Sequence, residues 1–177
     1  MHQTLRRRAL TSVSVAALAL LGGAGSAFAD DGPSTRLKGY EEVPAVSSTG
    51  TGRFKAKIDK VSNSLHYEIS YSGLEGEVRQ AHIHFGQRGV NGGITLWLCQ
   101  TAANPSPTPA TTPVCPQSGT VSGVLSAADV IGPAGQGVAA GEFAEVLAAI
   151  RAGAAYVNVH SSKHTGGEIR GQLRDDD

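Results

Sequence analysis

The sequence is poor in cysteine and has no excess of charge of either sign. Only two cysteines occur among 177 residues, and they lack the Cys-x-x-Cys spacing of a redox-active pair. Lys and Arg together number 15, as do Asp and Glu, so the clustered basic surface of nucleic-acid-binding proteins is not indicated. The chain also lacks Gly-x-Ser-x-Gly, His-Glu-x-x-His and a phosphate-binding glycine-rich loop. These absences argue against hydrolase, nucleotide-binding and nucleic-acid-binding functions.

One stretch near the N-terminus has the pattern of a secretory signal peptide. Residues 6–8 are all arginine, residues 9–21 are mostly apolar, and residues 27–29 form a small-x-small cleavage site. We therefore expect a signal peptide over residues 1–29, cleavage near Ala29 and a secreted or periplasmic location. No other run approaches the roughly 18 apolar residues that a membrane helix needs, so we expect no membrane span.

The rest of the chain, residues 30–177, is long enough for one domain with a sizeable core and short for two. Three of the 15 basic residues and none of the acidic ones lie in the leader, which leaves the mature chain slightly acidic. Residues 175–177 are all Asp and predict a solvated acidic tail. We expect a single domain that ends in this tail.

The two cysteines, Cys99 and Cys115, both lie in the part that we expect to be exported. An oxidising compartment favours a disulfide between them. The bridge would close a loop of about 15 residues that is rich in Pro and Thr, and proline cannot donate to a sheet ladder. We interpret the pair as a structural cross-link.

Glycine is abundant, with 23 residues, and separates short runs in which apolar and polar residues alternate. In the clearest run Leu65, Tyr67 and Ile69 point to one side of a strand, and the polar residues between them point to the other. Strands are predicted over residues 51–58, 64–71, 78–85, 94–99, 120–125, 155–160 and 168–173, with a weaker candidate over residues 37–43. Seven or eight such strands predict an all-β antiparallel sandwich or barrel.

Two short helices interrupt the strand pattern. Ser126 and Asp129 have the spacing of a capping box, which predicts a short helix that ends before Gly132. Residues 142–152 place apolar side chains at offsets of three, four and seven, and Gly153 follows as a C-terminal stop. We expect this second helix to pack its apolar stripe on the sheet.

Histidines carry the most specific functional pattern. His82 and His84 lie two residues apart on one predicted strand, so both side chains point to the same side. His160 lies on another strand and could complete a site of three imidazole nitrogens, which suits copper, zinc, nickel or iron, with copper favoured by the general affinity order. The alternative is that these histidines only form hydrogen bonds on a polar sheet face. His164, in the turn after His160, is either a fourth ligand or an exposed loop residue.

Further polar residues are placed to order these histidines. Asn158 shares a face with His160 on one predicted strand, and Glu168 shares a face with Arg170 on the last. We expect Asn158, Glu168 and Arg170 to hold the histidines in place through hydrogen bonds or an ion pair. Glu168 as a general base is the less favoured alternative, because no second catalytic group accompanies it. No catalytic residue is predicted.

Four ordered segments resemble the signatures of the CHRD domain, which is known from chordin and from many exported microbial proteins. They are Leu37-Lys38-Gly39 with Glu42-Val43-Pro44, Ala81-His82-Ile83-His84 with Gly86, Tyr156-Val157-Asn158-Val159-His160, and Gly167-Glu168-Ile169-Arg170-Gly171-Gln172-Leu173. The resemblance covers about residues 34–173 and implies an immunoglobulin-like β-sandwich or barrel. One departure lies at His164-Thr165, where the family often has an aromatic residue and a proline. Chordin's antagonism of growth factors is not carried over, because a shared fold does not supply function.

Three functions remain open from the sequence. The favoured hypothesis is an exported, non-enzymatic module that binds a metal ion, with copper preferred, or binds an extracytoplasmic protein. The second is a copper-dependent redox enzyme, because His-x-His before Phe-Gly is similar to the copper-ligating strand of copper/zinc superoxide dismutases. The third is a structural adhesion domain in which the histidines only satisfy one another.

Overall fold

Eight antiparallel strands form a sheet that curls into a nearly closed barrel. The computed structural model describes residues 32–108 and 110–174, so the predicted signal peptide and acidic tail lie outside the described residues. The strands are β1 (Ser34–Lys38), β2 (Thr51–Asp59), β3 (Ser64–Ser72), β4 (Val78–Phe85), β5 (Gly93–Cys99), β6 (Gly119–Leu125), β7 (Ala155–Ser161) and β8 (Ile169–Gln172). Their order in the sheet is β5-β4-β7-β8-β1-β2-β3-β6, and β5 approaches β6 to close the barrel. The predicted all-β antiparallel fold is confirmed.

Alternating apolar residues of the strands fill the barrel interior. On β3 the side chains of Leu65, Tyr67 and Ile69 are buried in the core, as the sequence pattern predicts. On β4 and β7 the core positions are Ala81, Ile83, Val157 and Val159, all fully buried, and strand pairing sets Ile83 opposite Val157. Because side chains alternate along a strand, the residues between these positions face outward.

The outward face of β4, β7 and β8 is itself buried, which is uncommon for the polar side of a sheet. Every residue of β7 and of β8 is buried. Loops cover this face: Arg170 donates hydrogen bonds to the carbonyls of Gln87 and Val90, which lie between β4 and β5. The barrel therefore has a second buried layer, polar rather than apolar, which we call the polar layer; it comprises His82, His84, Trp97, Tyr156, Asn158, His160 and Arg170.

The predicted helices are present, and the first is a single turn. Ala127–Asp129 form a 3-10 turn that starts with a capping box of Ser126 and Asp129. Helix α1 (Phe143–Arg151) buries the predicted apolar stripe and is followed by Gly153 at φ +65°. Among the described residues, no helix has both the length and the apolar character needed to cross a membrane.

The weaker strand candidate over residues 37–43 is wrong in its bounds. Strand β1 ends at Lys38, and a 3-10 turn follows over Gly39–Glu41. The Gly39 carbonyl accepts hydrogen bonds from the amides of Glu42 and Val46, which turns the chain away from the sheet. A Cβ at Gly39 would overlap the backbone of Val46, so glycine is required at this close approach.

The predicted disulfide between Cys99 and Cys115 is present. It ties the end of β5 to the chain that leads into β6, with the two Cα atoms 5.0 Å apart. Next to the bridge, the Cys115 amide donates to the Gln100 carbonyl at 2.8 Å. The loop that the bridge closes passes beside β4, because the Thr101 hydroxyl donates to the Arg79 carbonyl at 2.9 Å.

Candidate metal centre

Strand pairing brings the three predicted histidines together in the polar layer. In the antiparallel β4–β7 ladder His82 lies opposite Asn158, and His160 lies opposite Gln80. His82 Nδ1 is 3.2 Å from His160 Nε2. One ring nitrogen from each of His82, His84 and His160 lies within 4.8 Å of the other two. The three imidazoles therefore meet around one point, as strand alternation predicts.

Backbone carbonyls fix the tautomers of two of these rings. His84 Nδ1 lies 3.0 Å from the Gly92 carbonyl oxygen, and His160 Nδ1 lies 2.9 Å from the Thr165 carbonyl oxygen. A carbonyl oxygen only accepts hydrogen bonds, so each Nδ1 must carry a proton. In the neutral rings the lone pair then lies on Nε2 of His84 and of His160, which is the form that binds a metal. In the metal-free protein the lone pair of His160 faces His82 Nδ1.

Burial keeps all three rings neutral near pH 7. His82 is 0% exposed, and His84 and His160 are each 7% exposed. Burial lowers the pKa of His84 to about 4 and lowers the pKa of His160. Burial, followed by the charges of the other two rings, brings the pKa of His82 well below its usual value. The cluster therefore does not need to release protons before it takes up a cation.

Two buried nitrogens of the cluster lack a hydrogen-bond partner. His82 Nε2 and His84 Nε2 are both enclosed and have no partner among residues 32–108 and 110–174. Leaving a buried polar atom unsatisfied costs about 1–3 kcal/mol. A cation bound by His84 Nε2 would remove the cost at that atom, so the donor set fits a metal ion that prefers imidazole.

Arg170 and Tyr156 support His84 from behind. The Arg170 guanidinium lies 3.4 Å above the Tyr156 ring, and Tyr156 stacks on His84 with 4.7 Å between ring centroids. Arg170 also donates to Asn91 Oδ1 at 3.2 Å and to the Val90 carbonyl at 2.9 Å. It thus holds the β4–β5 loop, whose Gly92 carbonyl binds His84.

The family comparison agrees with this architecture. The family model for the CHRD domain matches residues 34–173. The chain belongs to the CHRD domain family. No curated protein and no solved structure matches the chain.

The four CHRD signature segments meet in the polar layer and the loops that cover it. The second and third segments provide the histidines on β4 and β7, and the fourth provides Arg170 on β8. The first provides Glu42, which is 7% exposed and close to both Asn158 and Gly167. In this CHRD domain each of the four segments therefore contributes a buried side chain to the polar layer or to the loops that cover it.

The remaining predicted residues of the CHRD domain lie at different distances from the histidines. Asn158 Oδ1 is 3.0 Å from His160 Nε2, so Asn158 lies directly beside the cluster. Glu168 Oε1 instead accepts hydrogen bonds from the Ser48 hydroxyl and the Glu75 amide, both at 2.6 Å. His164 lies outside the three-nitrogen group, and its Nε2 is 3.8 Å from a carboxylate oxygen of Glu75.

The sequence assigned no role in the site to Glu42, Trp97 or Tyr156, although Glu42 and Tyr156 stand in the CHRD segments. Burial raises the pKa of Glu42 to about 7, although the Arg170 charge opposes the shift. The Trp97 ring lies against His82, with 4.4 Å between centroids. Tyr156 alternates in step with Asn158 and His160 along the strand, so the sequence does predict that its side chain lies on the same face. Glu42 is marked only by its place in the first CHRD segment, and Trp97 by nothing in the local pattern, because loop packing and strand pairing place them there.

Proposed function

We propose that this CHRD domain binds one transition-metal ion, with copper preferred, through His82, His84 and His160. The observation that carries the proposal is the meeting of three neutral imidazoles within 4.8 Å in a buried layer. The donor set holds nitrogen only, which suits copper, zinc, nickel and iron, and the general affinity order places copper first.

The spacing of the nitrogens supports this proposal. Two imidazole ligands held 2.0–2.1 Å from one ion at a tetrahedral angle lie about 3.4 Å apart. The 3.2 Å between His82 Nδ1 and His160 Nε2 is close to that value. A pair at the 4.8 Å limit must approach by about 1.4 Å to reach it.

The role we propose is binding rather than catalysis, in an exported protein. Copper, when bound, would supply redox and Lewis-acid chemistry. His82, His84 and His160 would hold it, with His84 oriented by the Gly92 carbonyl and His160 by the Thr165 carbonyl. Export is supported by the Cys99–Cys115 disulfide, since such bonds persist in oxidising compartments. The partner is then a metal ion, or an extracytoplasmic protein with which the metal-loaded domain interacts.

The structural adhesion hypothesis makes a different use of the same histidines. It treats the contact between His82 and His160 as an ordinary hydrogen bond. It leaves His84 Nε2 buried without a partner in the part of the chain that the structure describes, which is why we favour the metal. Redox activity is a separate question, tested by superoxide dismutation with the copper-loaded protein against the same concentration of buffer-complexed copper.

Calorimetric titration of the protein, purified without a histidine tag, with Cu(II) and Zn(II) tests the proposal. We expect one Cu(II) per chain, quenching of the single tryptophan, Trp97, and weaker binding of Zn(II). The double variant H84Q/H160Q should lose about 100-fold or more in affinity, because two of three ligands are removed.

The matched control is H66Q. His66 lies on β3, half-buried and away from the polar layer, and its replacement should leave copper affinity unchanged. A wild-type dissociation constant weaker than ~1 mM, or equal loss in the H66Q and H84Q/H160Q variants, would refute the proposed function and leave the adhesion hypothesis.

A further inference from the structure

A surface pocket opens directly beside the histidine cluster. His160 forms part of its wall, together with Gln80 from β4, Thr165 and Ser162 from the turn after β7, and Ala103 and Asn104 from the disulfide loop. Gln80 lies opposite His160 in the β4–β7 ladder. The pocket therefore brings solvent to the edge of a site that is otherwise enclosed.

The cluster provides three ligands, one fewer than a closed tetrahedral site uses. Among the described residues, the group of possible ligands contains His82, His84 and His160 and no further His, Cys, Asp or Glu. Metal sites with three protein ligands keep one position for water or an exogenous ligand, whereas purely structural sites are filled by four. An ion held here would thus have one coordination position that no histidine fills, and His160 is the ligand that borders the pocket.

The charge of the pocket wall favours an anion. Arg79 lines the pocket, and the described residues of the wall include no carboxylate. The other polar groups are the side-chain amides of Gln80 and Asn104 and the hydroxyls of Ser162 and Thr165. Arg79 has a carboxylate of Glu77 3.8 Å away, and Glu77 is 83% exposed, so water weakens that pairing.

The size of the pocket limits what can enter. Its volume is about 300 Å³, which corresponds to about ten water molecules at ~30 Å³ each. This is the lower end of the range for pockets that hold drug-sized ligands, about 300–1,000 Å³. An anion of a few heavy atoms fits, and a folded partner does not.

We propose that the pocket lined by Arg79, Gln80, Asn104 and His160 admits a small anion that binds the metal ion held by the three histidines. The inference rests on the proposed function. It adds the class of external ligand, a small anion, and the path by which that anion reaches the metal ion. Recognition combines a direct bond to the metal with the positive charge of Arg79 at the entrance.

Azide titration of the Cu(II)-loaded protein, freed of excess copper by gel filtration, tests this inference. Azide is the probe because it is a three-atom anion with a strong charge-transfer band when bound to Cu(II). We expect a saturable change in the EPR and visible spectra with one azide bound per copper. If copper binds and azide changes neither spectrum, the pocket inference is overturned while the proposed metal site stands. If copper does not bind, both fail.

Two variants, each with a control, test whether azide reaches the copper ion through this pocket. A103F fills the pocket from an exposed loop position and should weaken azide binding at least ~10-fold, whereas A102F, at the exposed neighbouring residue outside the pocket, should not. R79Q removes the entrance charge and should weaken azide binding ~3-fold, while R36Q, on another surface, should not. Azide affinity unchanged in both A103F and R79Q would overturn the assignment.

Discussion

The histidines of this protein differ in how deeply they are buried and in which groups surround them. His66 lies half-buried on the outside of β3, in contact with solvent, whereas His82 is completely buried beside two other imidazoles. Burial lowers the pKa of His82, His84 and His160. Three neutral rings with oriented lone pairs can bind a cation, and three protonated rings could not.

Arg170 positions His84 through the loop between β4 and β5. It is 1% exposed and is held by the Tyr156 ring and by carbonyls of the β4–β5 loop. The same loop carries the Gly92 carbonyl that orients His84. Since hydrogen bonds from a charged group contribute about 1.5–3 kcal/mol each, Arg170 stabilises both the loop and the ligand.

We predict that R170M lowers the free energy of unfolding by about 3 kcal/mol in urea titrations. Copper affinity, measured on the fraction that remains folded, should fall about 10-fold, because the carbonyl that holds His84 is no longer fixed. R170K keeps the charge without the planar fork and should recover only part of both losses. The exposed R36M variant is the control, and an R170M protein with the stability and copper affinity of R36M would contradict this role.

At the scale of elements, the disulfide loop constrains the chain between β5 and β6. The pair Cys99–Cys115 closes residues 100–114 into a loop that lies beside Arg79 of β4. A cross-link around a loop of this length stabilises the fold by about 3 kcal/mol in the chain-entropy account.

We predict that the C99A/C115A double variant loses about 3 kcal/mol of unfolding free energy in urea under oxidising conditions. Adding a reductant should reduce the stability of the wild type toward that of the variant and leave the variant unchanged. A difference below ~1 kcal/mol between wild type and variant would show that the loop is held by its hydrogen bonds instead.

The positions of the strands could be predicted from the sequence, but the order in which the strands pair in the sheet could not. Alternation of apolar and polar residues is local, which is why β4 was placed at Val78–Phe85 with His82 and His84 on one face. Strand pairing depends on hydrogen bonds between segments that are distant in the sequence. The contact of Trp97 with His82 could therefore not be predicted from the local sequence pattern. The bounds of β1 were missed because a tertiary contact at Gly39 ends the strand.

At the scale of the whole molecule, the barrel has two buried layers of opposite character. The interior is apolar, and the polar layer outside β4, β7 and β8 encloses Arg170 and, under the same loops, Glu42. Groups that change protonation on unfolding make stability depend on pH. The direction of that dependence follows from the histidines and Glu42 together.

We predict that the metal-free protein loses stability as the pH falls from 7 to 5.5. The three histidines have folded pKa values below the 6.5 of an unperturbed ring, so on acidification the unfolded chain takes up protons first. Their contribution is complete above about pH 6.5 and decreases toward the pKa of His84, about 4. Glu42, with its pKa raised to about 7, acts in the opposite direction and offsets one proton.

Each net proton changes the unfolding free energy by about 1.4 kcal/mol per pH unit, so the expected loss is ~2 kcal/mol over this interval. Urea unfolding in the presence of a chelator measures it. The H84Q/H160Q variant should show a flatter profile than H66Q, because two of the titrating rings are absent. A wild-type stability that stays constant or rises on acidification would contradict the protonation states assigned to the cluster.

The number of imidazoles around one ion is the central claim about this molecule. Pulsed EPR of the Cu(II)-loaded protein counts them through the coupling of the remote ring nitrogens. We expect three histidine imidazoles in the wild type and two in H160Q, with H66Q identical to the wild type. Two or fewer in the wild type, or a count that does not change in H160Q, would contradict a site built by His82, His84 and His160.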